Sequence, residues 1–261
     1  MTATQMGQKL RTFGREKSRA RGNSQAQAGV QQRALEEIAT DLFKECPGYG
    51  DFVSVIRRFA GSHFTGSTHE IIGVIGSQAG EGKTTVSLVL ATALAELHPR
   101  VVYVEADSSG RRSLLDELGE PSRAGLTDWL TGQASLSDII YRTPRAELSV
   151  VPFGSAHLTQ GTLQTLAPLN ALLGALRTGF DVVLIDMPPL LRNEAGPALL
   201  RQLNCAVIVA AANETNLDDV DRVVRLCEDL PVAGILLNKM SPRAPGWLTR
   251  LFMPSGKAEA N

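Results

Sequence analysis

The residues with the clearest chemical potential form one glycine-rich segment, GSQAGEGKTT, from Gly76 to Thr85. This segment follows the apolar run Ile71–Ile75 and precedes a helix-like sequence, which is the order in which a phosphate-binding loop occurs. Glycines at positions 80 and 82 let backbone N–H groups curl around phosphates, where a Cβ would obstruct the approach. Lys83 supplies a positive charge, and Thr84 supplies a hydroxyl oxygen for Mg²⁺ at the start of the helix. The segment therefore predicts binding of a nucleoside triphosphate.

The loop departs from the usual G-x-x-x-x-G-K-S/T pattern because Ser77 stands where the first glycine is expected. A glycine-rich surface turn before an amphipathic helix is the alternative interpretation. The coincidence of strand, loop, Lys-Thr pair and helix favours the nucleotide interpretation.

Carboxylates follow two apolar runs further along the chain. Asp186 ends the run DVVLID and is the candidate Walker B aspartate, whose role is to hold Mg²⁺, often through water. In VVYVEAD, Glu105 and Asp107 are two residues apart and point to the same side if the chain stays extended. One of them could bind Mg²⁺ through water, and Asp107 is the preferred base for an attacking hydroxyl or water. The alternative for Asp186 is a polar residue that merely ends a buried strand.

Short apolar runs alternate with helical segments over most of the chain. This pattern predicts an α/β fold, a doubly wound and mostly parallel sheet sandwiched by helices, with ligands at the carboxyl ends of its strands. Uniformly apolar strands of this kind require helices on both faces. The six runs are Ile71–Ile75, Val101–Val104, Leu148–Val151, Val182–Ile185, Ala206–Val209 and Ala233–Leu237.

Four parts are predicted along the chain. Residues 1–28 form a flexible basic tail, and residues 29–62 form a helical appendage with one helix over 29–45 and a short second helix that ends at Gly61-Ser62. The second helix is expected to bury Phe52, Val55, Ile56 and Phe59. Residues 63–242 form the ATPase domain, and residues 243–261 form an irregular tail in which Trp247 to Phe252 make one apolar turn.

Composition narrows the class of protein. The 261 residues are 43% hydrophobic and carry a formal net charge of −1, so there is no overall field that would attract nucleic acid. No run reaches the length of a membrane-spanning helix, which predicts a soluble protein with at most peripheral membrane contact. The cysteine content and the family resemblance described below indicate the cytoplasm. The cysteines Cys46, Cys205 and Cys227 have no metal-binding spacing and are interpreted as core thiols.

The combined motifs resemble the bacterial tyrosine kinases of capsule and exopolysaccharide assembly, a branch of the deviant Walker ATPases. The motifs occur in family order over roughly residues 50–240: GEGKTT, VVYVEAD, GLTDWL with LSVVPFG, FDVVLIDMPPLL and GILLNKM. The resemblance implies an enzyme that uses ATP and Mg²⁺. It also implies activation by an inner-membrane polysaccharide co-polymerase, often within an oligomeric ring.

Carried over position by position, the resemblance assigns residues of a nucleotide site, with a partial match in the second acidic motif. Lys83, Asp107 and Asp186 are the catalytic residues, and Thr84, Glu105 and Asp186 are the metal ligands. The nucleotide is assigned to Ala79, Gly80, Glu81, Gly82, Lys83, Thr84, Thr85 and Asn238. In an N-K-x-D motif the aspartate recognises guanine, and Ser241 stands in its place here, which favours adenine. Asn238 either hydrogen-bonds the adenine or caps the end of a strand.

Several departures bear on activity and assembly. In the family's D-x-D-x-R motif, Glu105 replaces the first aspartate and Ser109 replaces the arginine. The oligomerisation motif E-x-x-R-x-x-R is only faintly matched at Asp51, Ser54 and Arg57, so a ring has no support and a homo-oligomer stays open. Gln78 stands where partition ATPases carry a lysine, which argues against a partition function.

The family's C-terminal tyrosine cluster is absent, since the only tyrosines are Tyr49, Tyr103 and Tyr141. Tyr103 lies in a predicted central strand, out of reach of a neighbouring molecule. Three hypotheses follow: transfer of phosphate to a tyrosine in trans or to water, a catalytically weak nucleotide switch for the membrane partner, or a membrane-positioning ATPase of the partition class.

Overall fold

A computed structural model describes residues 49–66, 69–107, 124–155, 166–193 and 196–240. The basic tail, the helix over 29–45, Cys46, Ser109 and the apolar turn near Trp247 lie outside these ranges, so the predictions made for them remain predictions.

Helices and strands are numbered here in chain order over the described ranges. The helices are α1 (Tyr49–His63), α2 (Lys83–Leu97), α3 (Leu126–Leu130), α4 (Leu136–Ile139), α5 (Leu166–Gly179), α6 (Gly196–Leu200) and α7 (Leu217–Leu226). The strands are β1 (Glu70–Ile75), β2 (Val101–Glu105), β3 (Tyr141–Arg142), β4 (Leu148–Val151), β5 (Val182–Asp186), β6 (Cys205–Ala211) and β7 (Val232–Asn238). All six predicted strands are confirmed, most of them one or two residues longer than their apolar runs.

The strands form one seven-stranded sheet in the order β3-β4-β2-β5-β1-β6-β7. Every neighbouring pair is parallel except β3 and β4, which are antiparallel. The two-residue strand β3 was not predicted because so short a segment carries no periodic signal. The doubly wound α/β fold predicted from the sequence is confirmed, and it brings the carboxyl ends of β1, β2 and β5 together at one edge.

Helices cover both faces of the sheet. One core cluster joins the sheet to α1 and α2, and the other joins it to α3, α4, α5, α6 and α7. Helix α1 contributes Ile56 and Ala60, which are four residues apart and buried on one stripe. The fold therefore places α2, whose first turn follows the glycine-rich loop, directly against the central strands.

Three details of the sequence prediction are wrong. Val55 is 45% exposed, because the buried stripe of α1 runs through Ile56 and Ala60 instead, and α1 continues to His63 beyond the predicted stop. The expectation that every strand is covered on both faces fails at β7, where Ile235 and Leu237 are 52% and 56% exposed. Ile235 and Leu237 share one face of β7, whereas Gly234 and Leu236 on the other face pack towards α1, where Phe59 lies next to Gly234.

None of the helices in the described ranges combines the length and the apolar character that crossing a lipid bilayer requires. Cys227 is buried and Cys205 is half-buried, and burial raises the pKa of both thiols. For these two cysteines, the interpretation as core thiols agrees with their surroundings.

Candidate nucleotide site

The glycine-rich loop has the backbone geometry of an anion cradle. Gly80 and Gly82 have φ angles of 86° and 91°, in the left-handed region that side chains with a Cβ rarely adopt. Helix α2 begins at Lys83, and no side chain caps its first turn. The N–H groups at this helix start are therefore available to phosphate oxygens, with the helix dipole adding positive charge.

A buried carboxylate ties the loop together from inside. Glu81 is 1% exposed, and its side chain accepts hydrogen bonds from the Ser77 hydroxyl at 2.5 Å, the Gln78 N–H at 3.2 Å and the Thr215 hydroxyl at 3.0 Å. Thr215 in turn accepts a hydrogen bond from the N–H of Ala211 at the end of β6. Ser77, which replaces the usual glycine, is thus one of the groups that hold the loop in shape.

Asn238 joins the same loop from the last strand. Its side-chain amide donates to the carbonyl oxygen of Glu81 at 3.0 Å, and a Cβ added to Gly82 would collide with that amide. Asn238 therefore contacts the loop backbone, a partner that neither interpretation of the sequence included. The contact gives Gly82 a steric requirement in addition to its φ angle.

Cationic and anionic side chains converge where α2 meets the strand ends. Lys83 is buried, and its Nζ lies 3.1 Å from the carbonyl oxygen of Gln78 and 3.7 Å from Oδ2 of Asp107. The hydroxyl of Thr84 donates to Oδ2 of Asp186 at 2.7 Å. The predicted catalytic residues thus lie around the first turn of α2.

Asp186 is fully buried, and burial is the main cause that raises its pKa to about 7. The hydrogen bond from Thr84 and the charge of Lys83 oppose this rise, whereas the charges of Asp107 and Glu105 add to it. Among the described residues, its Oδ1 has no hydrogen-bond partner. A buried carboxylate with one unpartnered oxygen is suited to a bound cation, which would favour the ionised form.

Tyr103 lies below this cluster in the middle of β2. It is fully buried, and its hydroxyl donates to Oδ2 of Asp186 at 3.3 Å. Burial, followed by the charges of Asp186 and Glu105, raises the pKa of Tyr103 well above its usual value. The prediction that this tyrosine is out of reach of a neighbouring molecule agrees with its burial.

Glu105 faces a neighbouring loop as well as the site. Its Oε2 accepts a hydrogen bond from the N–H of Phe153 at 2.9 Å, just beyond β4. The same loop is clamped to the start of α3, because Leu126 N–H donates to the Pro152 carbonyl and Thr127 N–H donates to the Phe153 carbonyl, each at 2.8 Å. Glu105, proposed from the sequence as a metal ligand, therefore also fixes the loop that follows β4.

Asp128 completes this clamp from the first turn of α3. Its Oδ2 accepts hydrogen bonds from the Gly125 N–H at 2.8 Å and from the Ser155 N–H at 3.0 Å. The paired motifs GLTDWL and LSVVPFG are thus two halves of one backbone clamp beside the nucleotide site.

The structure brings together the predicted residues of the loop, Asp107, Glu105, Asp186 and Asn238. Sequence reasoning missed the roles of Ser77, Thr215 and Tyr103. Thr215 carries a signal that could have found it, since it is a polar residue just past the carboxyl end of a central strand. Tyr103 carries none, because the hydrogen bond to Asp186 depends on strand order and register.

Replacing Glu81 with Gln is expected to weaken nucleotide binding about fivefold and to destabilise the fold by about 1–3 kcal/mol. An amide has one acceptor oxygen, so its NH₂ group would face one of the three donors that now contact the carboxylate. Calorimetric titration and urea unfolding measure the two effects. Thr215→Ser, which keeps the hydroxyl, is the control and should bind normally. Unchanged nucleotide binding by the Gln variant would show that the hydrogen bonds of Glu81 are not needed to hold the loop in its binding conformation.

The residues present fit a magnesium-nucleotide complex. Among the described residues, no three His, Cys, Asp or Glu side chains group into a metal site of their own. Mg²⁺ is usually held by one or two protein oxygens together with substrate phosphates and water. The Thr84 hydroxyl, the unpartnered Oδ1 of Asp186 and the adjacent phosphate cradle supply that donor set.

The fold and this site define a phosphate-loop ATPase. The model of the AAA domain family matches residues 69–230, which is more than half of the chain, so the chain belongs to that family. Proteins named tyrosine-protein kinases, and solved kinase domains, match two thirds or more of the chain. The expected kinship with bacterial tyrosine kinases is therefore confirmed, and the chain is a tyrosine-kinase-like phosphate-loop ATPase.

Three known proteins illustrate the similarity. Tyrosine-protein kinase CpsD of Streptococcus agalactiae serotype Ia is 27% identical over 209 residues, covering 78% of this chain and 88% of that protein. The kinase domain of VpsO superposes with a TM-score of 0.64 at 25% identity, covering 79% and 99% of the two chains. The cell division ATPase MinD of Pyrococcus furiosus shares the fold, with a TM-score of 0.55 at 24% identity over 71% and 80% of the chains.

Proposed function

We propose that the chain is a Mg²⁺-dependent, ATP-using tyrosine kinase of a capsule or exopolysaccharide system, transferring phosphate to a protein tyrosine in trans or to water. The observation that carries the proposal is a cluster of charged and polar side chains beside the phosphate cradle. The Nζ of Lys83 lies 3.7 Å from Oδ2 of Asp107, and the hydroxyl of Thr84 lies 2.7 Å from Oδ2 of Asp186. These are the groups that phosphoryl transfer needs at one place: a cation, a base and a metal-binding carboxylate.

Each residue has a defined part in this mechanism. The backbone from Ala79 to Thr85 holds the β- and γ-phosphates, and Lys83 leaves the Gln78 carbonyl to pair with them. Thr84 and Asp186 would hold the cation, and Glu105 would be a further ligand through water. When bound, Mg²⁺ neutralises charge that develops on the transferred phosphoryl group. Asp107 accepts the proton of the attacking hydroxyl or water.

Tyr103 and Tyr141 are poorly placed to accept the phosphate. Tyr103 is fully buried, and the hydroxyl of Tyr141 donates to the carbonyl oxygens of Ala124 and Asp138. Transfer in trans requires an acceptor that can approach Asp107, so a tyrosine of another protein is the proposed substrate, with water as the competing acceptor.

The proposed partner is the cytoplasmic segment of an inner-membrane polysaccharide co-polymerase. The names of curated relatives support a capsule or exopolysaccharide setting, since they are tyrosine-protein kinases such as CpsD and EpsB. The proposed location is the cytoplasm, with peripheral contact at the inner face of the membrane.

Replacing Lys83 with Ala is expected to weaken ATP binding by at least about tenfold and to abolish phosphate transfer, because the phosphates lose their only adjacent side-chain cation in the loop. Calorimetry measures binding, and labelled ATP measures transfer to water or to tyrosine. Arg222→Ala, which removes an exposed cation on α7, serves as the control. Unchanged tight ATP binding by the Lys83 variant would exclude the proposed site. Abundant phosphotyrosine on the isolated wild-type protein would contradict the proposal that the acceptor tyrosine belongs to another protein.

A nucleotide-dependent switch with weak catalysis is the second candidate. The observation that favours it is the engagement of Glu105 by the Phe153 N–H, which gives this carboxylate a structural partner in the position of the family's first aspartate. Co-purification of the membrane partner with ATP, ADP or no nucleotide tests the switch, because partner binding that ignores the nucleotide rules it out.

A further inference from the structure

A buried tyrosine and a threonine contact the same oxygen of Asp186. The hydroxyl of Thr84 lies 2.7 Å from Oδ2, and the hydroxyl of Tyr103 lies 3.3 Å from it, while Oδ1 has no hydrogen-bond partner among the described residues. We propose that Tyr103 is a positioning residue for the cation site, holding Oδ2 of Asp186 so that Oδ1 stays available to a divalent cation or its bound water.

The two donors come from different elements, and this gives Tyr103 a purpose that Thr84 cannot fulfil alone. A carboxylate rotates readily about its terminal torsion, which exchanges its two oxygens. Thr84 donates from the first turn of α2, whereas Tyr103 donates from the centre of β2, the strand next to β5. Two donors anchored on separate elements restrain that rotation. Tyr103 continues to hold the carboxylate while the oxygen of Thr84 serves the cation.

The composition of β2 makes the hydroxyl notable. Positions 101, 102 and 104 of this strand are valines, and the residue beside Tyr103 on β5 is Leu184. An apolar side chain would fill such a position without bringing a polar group into the sheet, where a hydroxyl is costly unless it is hydrogen-bonded. The bond to Asp186 offsets that cost. The experiment below distinguishes a hydroxyl that positions Asp186 for the cation from one that only fills the core.

This inference rests on the proposed use of Mg²⁺ and ATP, and its test has a readout apart from catalysis. A fluorescent ATP analogue at fixed concentration is titrated with MgCl₂, giving the Mg²⁺ concentration at half-maximal binding. Tyr103→Phe should raise that midpoint about tenfold, as loss of an outer-shell partner of a metal site typically does. Binding of the analogue in EDTA should not change, because the phosphate cradle is intact.

Tyr141→Phe is the matched control. It also loses a hydroxyl that donates to protein oxygens, but those are the carbonyls of Ala124 and Asp138. Its Mg²⁺ midpoint should equal that of the wild type. Tyr103→Leu removes the same hydroxyl with a different shape and guards against an effect peculiar to Phe, and urea unfolding in EDTA verifies that each variant is folded.

The outcomes are distinguishable. Folded Tyr103 variants with the wild-type Mg²⁺ midpoint would show that the hydroxyl only fills the core, and the inference would be overturned. If nucleotide binding by the wild type does not respond to Mg²⁺ at all, the proposed function fails and this inference fails with it. A raised midpoint in both Tyr103 variants, with Tyr141→Phe unchanged, supports the positioning role.

Discussion

Replacing Asp186 with Asn should remove much of the pH dependence of stability from the metal-free protein. The folded-state pKa of Asp186 is raised to about 7, against 3.8 for an ordinary aspartate, because the carboxylate is fully buried. Below pH 3.8 the carboxyl group is protonated in both the folded and the unfolded chain, so it does not affect stability. Between pH 3.8 and about 7 it is ionised in the unfolded chain but still protonated in the folded protein, which favours unfolding. Stability is therefore lost with rising pH, by about 2–3 kcal/mol between about pH 5 and about pH 8.

The measurement is urea unfolding in EDTA at the two pH values, for the wild type and for Asp186→Asn. The wild type should lose more unfolding free energy than the variant over this interval, by the amount given above. Asp221→Asn, which neutralises an exposed carboxylate on α7, is the control and should behave like the wild type. An Asn variant with the same loss as the wild type would show that Asp186 is not the group responsible. The variant should also lose Mg²⁺-dependent nucleotide binding, since an amide is a poor ligand here.

Replacing Gly125 with Ala should destabilise the fold by about 3 kcal/mol or more, in the range of severe overpacking. The φ of Gly125 is −151°, which any residue can adopt, so the cause is steric. An added Cβ would collide with the carbonyl oxygen of Pro152 and lie 2.5 Å from the N and 2.6 Å from the Cα of Gly154. These are backbone atoms that cannot move aside without opening the clamp between α3 and the loop after β4.

A Gly→Ala substitution at position 174 should have the opposite effect on stability. Gly174 lies on the exposed side of α5 with no neighbouring atom near its would-be Cβ, so Gly174→Ala should stabilise by about 0.5–1 kcal/mol. Urea unfolding compares the two variants directly. Because Phe153 in the clamped loop donates to Glu105, the Gly125 variant should also bind nucleotide more weakly. A Gly125→Ala protein as stable as the wild type would contradict the close packing described here.

The parts of this molecule that could be predicted from the sequence are those with local causes. The loop from Gly76 to Thr85, the six apolar strands and Asp186 at a strand end each follow from residue type and spacing within a short window. Their convergence follows too, because parallel strands bring their carboxyl ends to one edge.

The parts that could not be predicted depend on pairing between distant segments. The hydrogen bonds from Thr215 to Glu81 and from Tyr103 to Asp186 require strand order and register that no local pattern specifies. Two contacts that differ from the sequence prediction have the same origin. Asn238 was considered for the adenine or for a strand end, but it contacts the loop backbone. Glu105 was considered as a metal ligand, but it also accepts a hydrogen bond from the Phe153 N–H.

The hydrogen bond between Asn238 and Glu81 joins positions 157 residues apart. During synthesis the loop emerges from the ribosome long before β7, so for most of that time the nascent chain carries the phosphate-binding sequence without the amide that braces it. Because a contact of such separation forms only after the intervening chain is ordered, capture of ATP in the braced site becomes a late event of folding. Nucleotide bound there would then stabilise a completed sheet rather than guide its assembly.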